Sequence, residues 1–213
     1  MARTRLVLVR HGQTDGNASG RFQGQMDVPL NEHGRAQAAV LAPFVAALAP
    51  RGVVASDLSR AQETAAIVAA SCHLPVETDA ALREIHVGGW QWRTPEDVVA
   101  EAPWFEEFLR AGRDFRRSDT GETASEAGER VRGALERVGR EHPGQTTVVV
   151  GHGLALRVGL AFLLGLDFAG SNNLSGLWNC SWTVLEHRDR WRLLSYNNVA
   201  PGYTGALASP SSR

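Results

Sequence analysis

The sequence has no lysine; all 22 of its basic residues are arginine. Schiff-base chemistry and a Walker-type phosphate loop, which both need an amine, are therefore excluded. Cysteine is nearly absent too. Cys72 and Cys180 stand far apart with no CxxC pair, so both read as buried thiols rather than disulfide partners or metal ligands. No apolar run approaches the roughly 18 residues of a membrane span. The one near the N-terminus, Leu6 to Val9, stops at Arg10-His11 and is too short for a signal-peptide core. An excess of either charge is also missing. With 22 basic against 23 acidic residues and a net charge of -1, no global field gathers nucleic acid or anionic lipid. These absences describe a soluble chain, expected in the cytoplasm, with no nucleic-acid or membrane partner.

What remains is ordinary globular material, 43% hydrophobic and 21% charged over 213 residues, enough for one sizeable core. Leu6-Val7-Leu8-Val9 predicts a buried, parallel strand. Residues 12–31 carry Gly12, Gly16, Gly20, Gly24, Asn17 and Pro29, a turn-rich loop of a length that is usually functional. Asn31 caps a helix whose apolar face is expected at Ala36, Ala39, Val40 and Phe44, with Pro43 kinking or ending it early. Val53 to Ala55 predicts a second strand and Ser59 to Ala70 a helix with Ala61, Ala65, Val68 and Ala69 inward. Pro75 to Thr78 reads as a third strand, Ala124 to about Arg140 as an amphipathic helix, and Thr146 to Val150 as a strand. A buried helix over Leu154 to Leu164 and strands near Trp178–Glu186 and Trp191–Tyr196 follow. Strands alternating with helices predict a three-layer α/β/α sandwich around a mostly parallel sheet. The reading is one domain over residues 1–199 with a variable lid at about 93–122, and a C-terminal tail, 200–213, of low intrinsic order.

Ligands of open α/β sheets gather beyond the carboxyl ends of the parallel strands. That rule brings together Arg10-His11-Gly12 after the first strand, Ser56-Asp57 with Arg60 after the second, and His152 after Thr146–Val150. Two arginines and two histidines at one sheet edge suit a dianion, because the guanidinium fork matches phosphate oxygens. The helix starting near Leu154 adds its positive end at the same place.

LVLVRHGQT at the start, SDLSRAQETA at 56–65, LREIHVGGWQ at 82–91 and VVVGHGLALR at 148–157 together resemble the histidine phosphatase superfamily, the phosphoglycerate mutase-like family. The resemblance implies a phosphoglycerate mutase-like fold and a phosphohistidine mechanism without cofactor or metal. It implies that His11 is the nucleophile, that Arg10, Arg60 and His152 clamp the phosphoryl group, and that Glu84 is the general acid. One branch of the family takes its acid from an Asp after the second histidine; Gly153 stands there, which points to the other branch. Gly12, Thr14, Asn17, Gln23, Gly24 and Gly153 resemble positions that line the phosphate pocket. The departures are His86, where the family often has Asp, and Trp92, where it has Gly.

In the lid, Trp104, Phe105 and Phe108 have helical spacing and read as packing. Arg110, Arg113, Arg116 and Arg117 have only Asp114 among them. They read either as a solvated basic face or as recognition of a second anion, with Arg116 and Arg117 the candidate binding pair. The expected partner is a small phosphorylated metabolite, a sugar phosphate or phosphoglycerate derivative, and a homodimer stays open. The favoured activity is hydrolysis of a phosphate monoester. The alternatives are mutase-type phosphoryl transfer and a non-catalytic module that binds a phosphorylated ligand.

Overall fold

The computed structural model describes residues 3–201. Strands β1 (Thr4–Arg10), β2 (Gly52–Ala55), β3 (Glu77–Thr78), β4 (Thr146–Gly151), β5 (Trp182–His187) and β6 (Trp191–Asn198) form one sheet in the order β3-β2-β4-β1-β5-β6. Only β5 runs against the others, pairing antiparallel with β1 on one side and β6 on the other. The helices are α1 (Asp15–Ala18), α2 (Glu32–Ala46), α3 (Ser59–Cys72), α4 (Pro95–Glu101), α5 (Trp104–Arg110), α6 (Ala124–Glu141), α7 (Gly153–Leu163) and α8 (Phe168–Ser171).

Alternation along the strands builds the layers, because successive side chains point to opposite faces. Leu6, Leu8, Val54 and Val149 meet Val131, Leu135 and Val138 of α6 and Leu156 and Leu160 of α7. Val7, Val9, Val53 and Val150 meet Leu41 and Val45 of α2 and Ala65 and Val68 of α3. Each fully buried Leu or Val contributes roughly 1.5–3 kcal/mol, so the central strand, apolar on both faces, is the best anchored element.

Four local expectations are corrected. Helix α2 buries Gln37, Ala38, Leu41, Ala42 and Val45, whereas Ala36, Ala39, Val40 and Phe44 are exposed. The helix is apolar nearly all round, and Gln37 can go inside because its carbonyl oxygen accepts from the Gln13 N–H at 2.9 Å. Pro43 does not end α2, which runs on to Ala46; Ala39, whose carbonyl the proline leaves without a donor, lies on the solvent side. The strand expected from Trp178 begins only at Trp182, since Cys180 takes a left-handed φ of 53° and donates its N–H to the Arg10 carbonyl at 3.0 Å. The third strand shrinks to Glu77–Thr78.

Residues 93–122 contain the two short helices α4 and α5. Phe22, Trp90 and Phe115 pack with Trp104, Phe105 and Phe108 of α5 into one aromatic group. Cys180 is buried and its thiol pushed up to about 12 by that burial, while Cys72 is only half-buried. The tail expected over 200–213 lies, from residue 202 on, outside the described residues.

Candidate active site

Strand pairing assembles the site. Arg10 ends β1 directly opposite Gly151 at the end of β4, so the residues that follow, His11 and His152, come out side by side. Their rings sit edge to face with centroids 5.1 Å apart. Beyond β2, Ser56 places its hydroxyl 2.9 Å from His152 Nε2, and α3 then brings in Arg60.

His11 is buried, and its Nδ1 lies 2.6 Å from the Gly12 carbonyl oxygen. A carbonyl can only accept, so Nδ1 carries the proton and Nε2 keeps its lone pair. Burial first, then the charges of Arg60 and Arg10, hold the His11 pKa well below 6.5. The imidazole is thus neutral and its free nitrogen nucleophilic. Its own carbonyl is pinned by the Asn179 amide at 2.9 Å and the Cys180 N–H. Gly12 must be glycine, because a Cβ there would stand 2.4 Å from the Gly34 carbonyl oxygen.

His152 is fully buried and is likewise held well below 6.5, by burial first and then by Arg60, His11 and Arg10. Its Nδ1 has no partner among the described residues. Arg60 donates to the carbonyls of Met26 and Gly24, both at 2.7 Å, and its Nε is buried without an acceptor. Burial lowers its pKa to about 10, which leaves it charged. Asp57, three residues before Arg60, is taken by Arg83 through two bonds of 2.8 and 2.6 Å. Arg10 donates to the Leu177 carbonyl. Glu84 accepts the N–H groups of Ile85 and Ala155 at 2.9 Å and of Leu154 at 3.2 Å, capping the start of α7.

These groups open into a cavity of about 570 Å³, lined by Arg10, Arg21, Arg60, Arg110, Arg113, Arg117 and Arg157 and by a single acid, Glu84. That cationic concentration lies in a chain whose net charge is only -1. Of the residues singled out from sequence, Arg10, His11, Asn17, Gln23, Gly24, Arg60, Glu84, Gly153 and Arg117 line it. Thr14 lies behind the wall, donating to Gln23 at 2.7 Å and accepting from the Asn17 N–H, so it positions both. Gly12 and His152 also lie behind, the latter ring to ring with His11.

Arg116 is the correction. It pairs with Glu126 and donates to the Gly121 carbonyl at 2.6 Å, outside the cavity. The other three arginines of this segment also have acids nearby in sequence: Glu106 for Arg110, Glu107 for Arg113 and Asp114 for Arg117. Sequence reasoning gave no role to Arg157, Arg21 or Asn179. Arg157 stood inside the quoted VVVGHGLALR motif, one and a half helical turns after His152, and that spacing could have found it.

The two buried histidines make stability depend on pH. Each protonates near 6.5 when unfolded but stays neutral when folded, so below that pH the unfolded chain binds more protons. The stability is full above about 6.5 and is lost as pH falls below it, by about 1.4 kcal/mol per unit for each histidine still neutral in the fold. The melting temperature is expected to decline from about pH 6.5 to about pH 5, above the range where carboxylates titrate. A flat profile across that window would contradict the buried, neutral pair.

The cluster of histidines and arginines at the ends of parallel strands has the chemistry of a phosphoryl-transfer site. The chain belongs to the histidine phosphatase superfamily, branch 1, whose model matches residues 6–199. It is 36% identical over 216 residues to glucosyl-3-phosphoglycerate phosphatase of Mycobacterium tuberculosis, covering 94% of this chain and 97% of that one. It is 35% identical over 207 residues to probable phosphoglycerate mutase GpmB of Yersinia enterocolitica, covering 97% and 96%. Among solved structures it superposes on mycobacterial glucosyl-3-phosphoglycerate phosphatase complexed with VO3, with a TM-score of 0.84 and 37% identity over 91% of this chain and 98% of that one.

Proposed function

We propose that this protein hydrolyses a phosphate monoester of a small metabolite, a sugar phosphate or phosphoglycerate derivative, through a phosphoenzyme intermediate on His11. The observation that carries the reading is the 2.6 Å contact of His11 Nδ1 with the Gly12 carbonyl, which frees Nε2 for in-line attack. Nε2 bonds to phosphorus as the ester P–O bond breaks, and Glu84 delivers a proton to the leaving oxygen. Water then attacks the phosphohistidine, the P–N bond breaks, and Glu84 takes the proton back from the water. Arg10 and Arg60 hold the phosphoryl oxygens and offset their charge. His152 adds a donor at Nδ1 when the Ser56 hydroxyl donates to its Nε2.

The arginines supply the positive charge for which other phosphatases recruit a cation. No group of three or more His, Cys, Asp or Glu side chains suited to a metal occurs among the described residues. No helix among them is long and apolar enough to cross a membrane. Cytoplasmic residence is part of the proposal, supported by two thiols that are free. The similarity to a mutase makes phosphoryl transfer between positions of one substrate the second reading. Both are tested by incubating the protein with sugar phosphates, phosphoglycerates and nucleotides in excess EDTA and following free phosphate and isomerised product. Free phosphate is expected, undiminished by the chelator. Isomerisation without release would establish the mutase, and a requirement for Mg²⁺ would overturn the metal-free mechanism.

A further inference from the structure

Glu84 stands on a segment without regular structure. Residues 83–87 lie between a 3-10 turn at Ala80–Leu82 and another at Gly88–Trp90, so no helix or strand ladder fixes the backbone that carries the acid. The Glu84 carboxylate is tied to the start of α7, but a side chain is placed only as well as its own Cα. What holds that Cα comes from α6.

Arg130, on α6, makes five hydrogen bonds, as many as a guanidinium has N–H groups. Nη1 donates to the carbonyls of Ala81 at 3.0 Å and Arg83 at 2.9 Å, and Nη2 to that of Glu84 at 3.3 Å. Nε and Nη2 also take the two carboxylate oxygens of Glu122, at 3.0 and 2.7 Å, as a fork. Glu122 carries the hold to the other side of Glu84. Its Oε2 accepts the His86 N–H at 2.8 Å, and its own N–H donates to the His86 carbonyl at 2.7 Å. Gln25 adds a second donor to the Glu84 carbonyl at 3.0 Å. Glu122 directly precedes Thr123, whose capping box with Glu126 fixes where α6 begins, so both members of the pair are placed by that helix. Neither lines the cavity, and Arg130 has no N–H left over for a substrate. Any effect of the pair on the reaction must pass through the residues it holds.

We propose that Arg130, paired with Glu122, is a positioning residue for proton transfer, bracing the backbone on both sides of Glu84 so that its carboxyl group meets the leaving oxygen of the ester. The inference rests on the reading of Glu84 as general acid and extends it to a helix that does not touch the substrate. Such a brace matters because a misplacement of about 1 Å can cost about 10²-fold in rate.

The test sets Arg130→Gln beside Glu84→Gln, with glycerol 3-phosphate and p-nitrophenyl phosphate as substrates. It reads kcat/KM, which covers the steps up to departure of the alcohol. Arg130→Gln is expected to lose at least about tenfold on the alkyl ester and no more than about threefold on the aryl ester, whose leaving group needs little protonation. The ratio of the two is taken on one preparation, so it does not depend on the fraction folded. Added to Glu84→Gln, the change should cost no more than about twofold further on glycerol 3-phosphate, since the acid through which it acts is gone. Inhibition by inorganic phosphate should be little changed, because Arg10 and Arg60 are not part of the brace. Glu122→Gln, which keeps the shape and breaks the charge pair, should lower the same ratio and serves if Arg130→Gln does not fold. Equal losses on both substrates, full additivity with Glu84→Gln, or an unchanged ratio in both brace variants would overturn the proposal. If Glu84→Gln itself leaves the ratio untouched, the general-acid reading falls and takes the brace with it. If the wild type releases phosphate from neither ester, it is the phosphatase reading that fails.

Discussion

His11→Ala is expected to reduce turnover by at least about 10⁴-fold, because it removes the covalent route and not merely a contact. The proposed clamp of Arg10 and Arg60 is left in place by the change, so the variant should still bind inorganic phosphate. Only water is left to attack, and nothing at Nε2 aligns with the phosphorus. With ³²P-labelled substrate and rapid quenching, the wild-type chain should carry label that is stable to base and labile to acid, as expected for a phosphoramidate. The variant should carry none. The acid limb of kcat/KM should fall well below pH 6.5, since burial and the two arginines hold His11 neutral. A His11→Ala enzyme with a tenth of wild-type turnover, or label retained on that variant, would move the nucleophile elsewhere.

Glu84→Gln should separate proton transfer from binding. The amide keeps the shape of the carboxyl group but has no proton to give, so damage should follow the leaving group. An alkyl phosphate, whose alkoxide departs poorly, is expected to lose about 10²–10⁴ in kcat, and p-nitrophenyl phosphate far less. The structure adds a second consequence. Both carboxylate oxygens accept backbone N–H groups at the start of α7, and an amide NH₂ cannot accept the one from Leu154 or Ala155. The cap weakens, and stability should fall by about 1–3 kcal/mol, seen as a lower melting temperature. Equal loss on both substrates would show that Glu84 serves as a cap and binding group only.

Much of the site was legible because its parts are short and local. Arg10-His11, Arg60, Glu84 and Gly151-His152-Gly153 follow strands or begin helices that apolar alternation alone marks out. Elsewhere local pattern failed for definable reasons. Helix α2 offers two apolar faces, so its periodicity could not choose between Val40 and Leu41; the sheet chose, and Gln37 went inside with its partner Gln13. Trp178–Cys180 looks like the start of a strand until the backbone of Arg10 and His11 takes the Cys180 N–H and bends it away. The charge count over residues 110–117 left four arginines nearly uncompensated, yet each finds an acid, at Glu106, Glu107, Asp114 or Glu126.

The sequence by itself determined the fold class, the order of elements and the chemical parts of a phosphoryl-transfer site. These follow from alternation, capping and residue type, which act over a few neighbouring positions. The tertiary structure alone decided which charges remain unpaired. Asp57 could have served Arg60 but pairs with Arg83, 26 residues away, and Arg116 could have met the substrate but pairs with Glu126. Arg157, unremarkable as a string, lines the cavity with no ion-pair partner among the described residues. An ion pair depends on separation in space, which falls steeply in value beyond a few ångströms, and separation in space between distant segments is what a sequence does not contain.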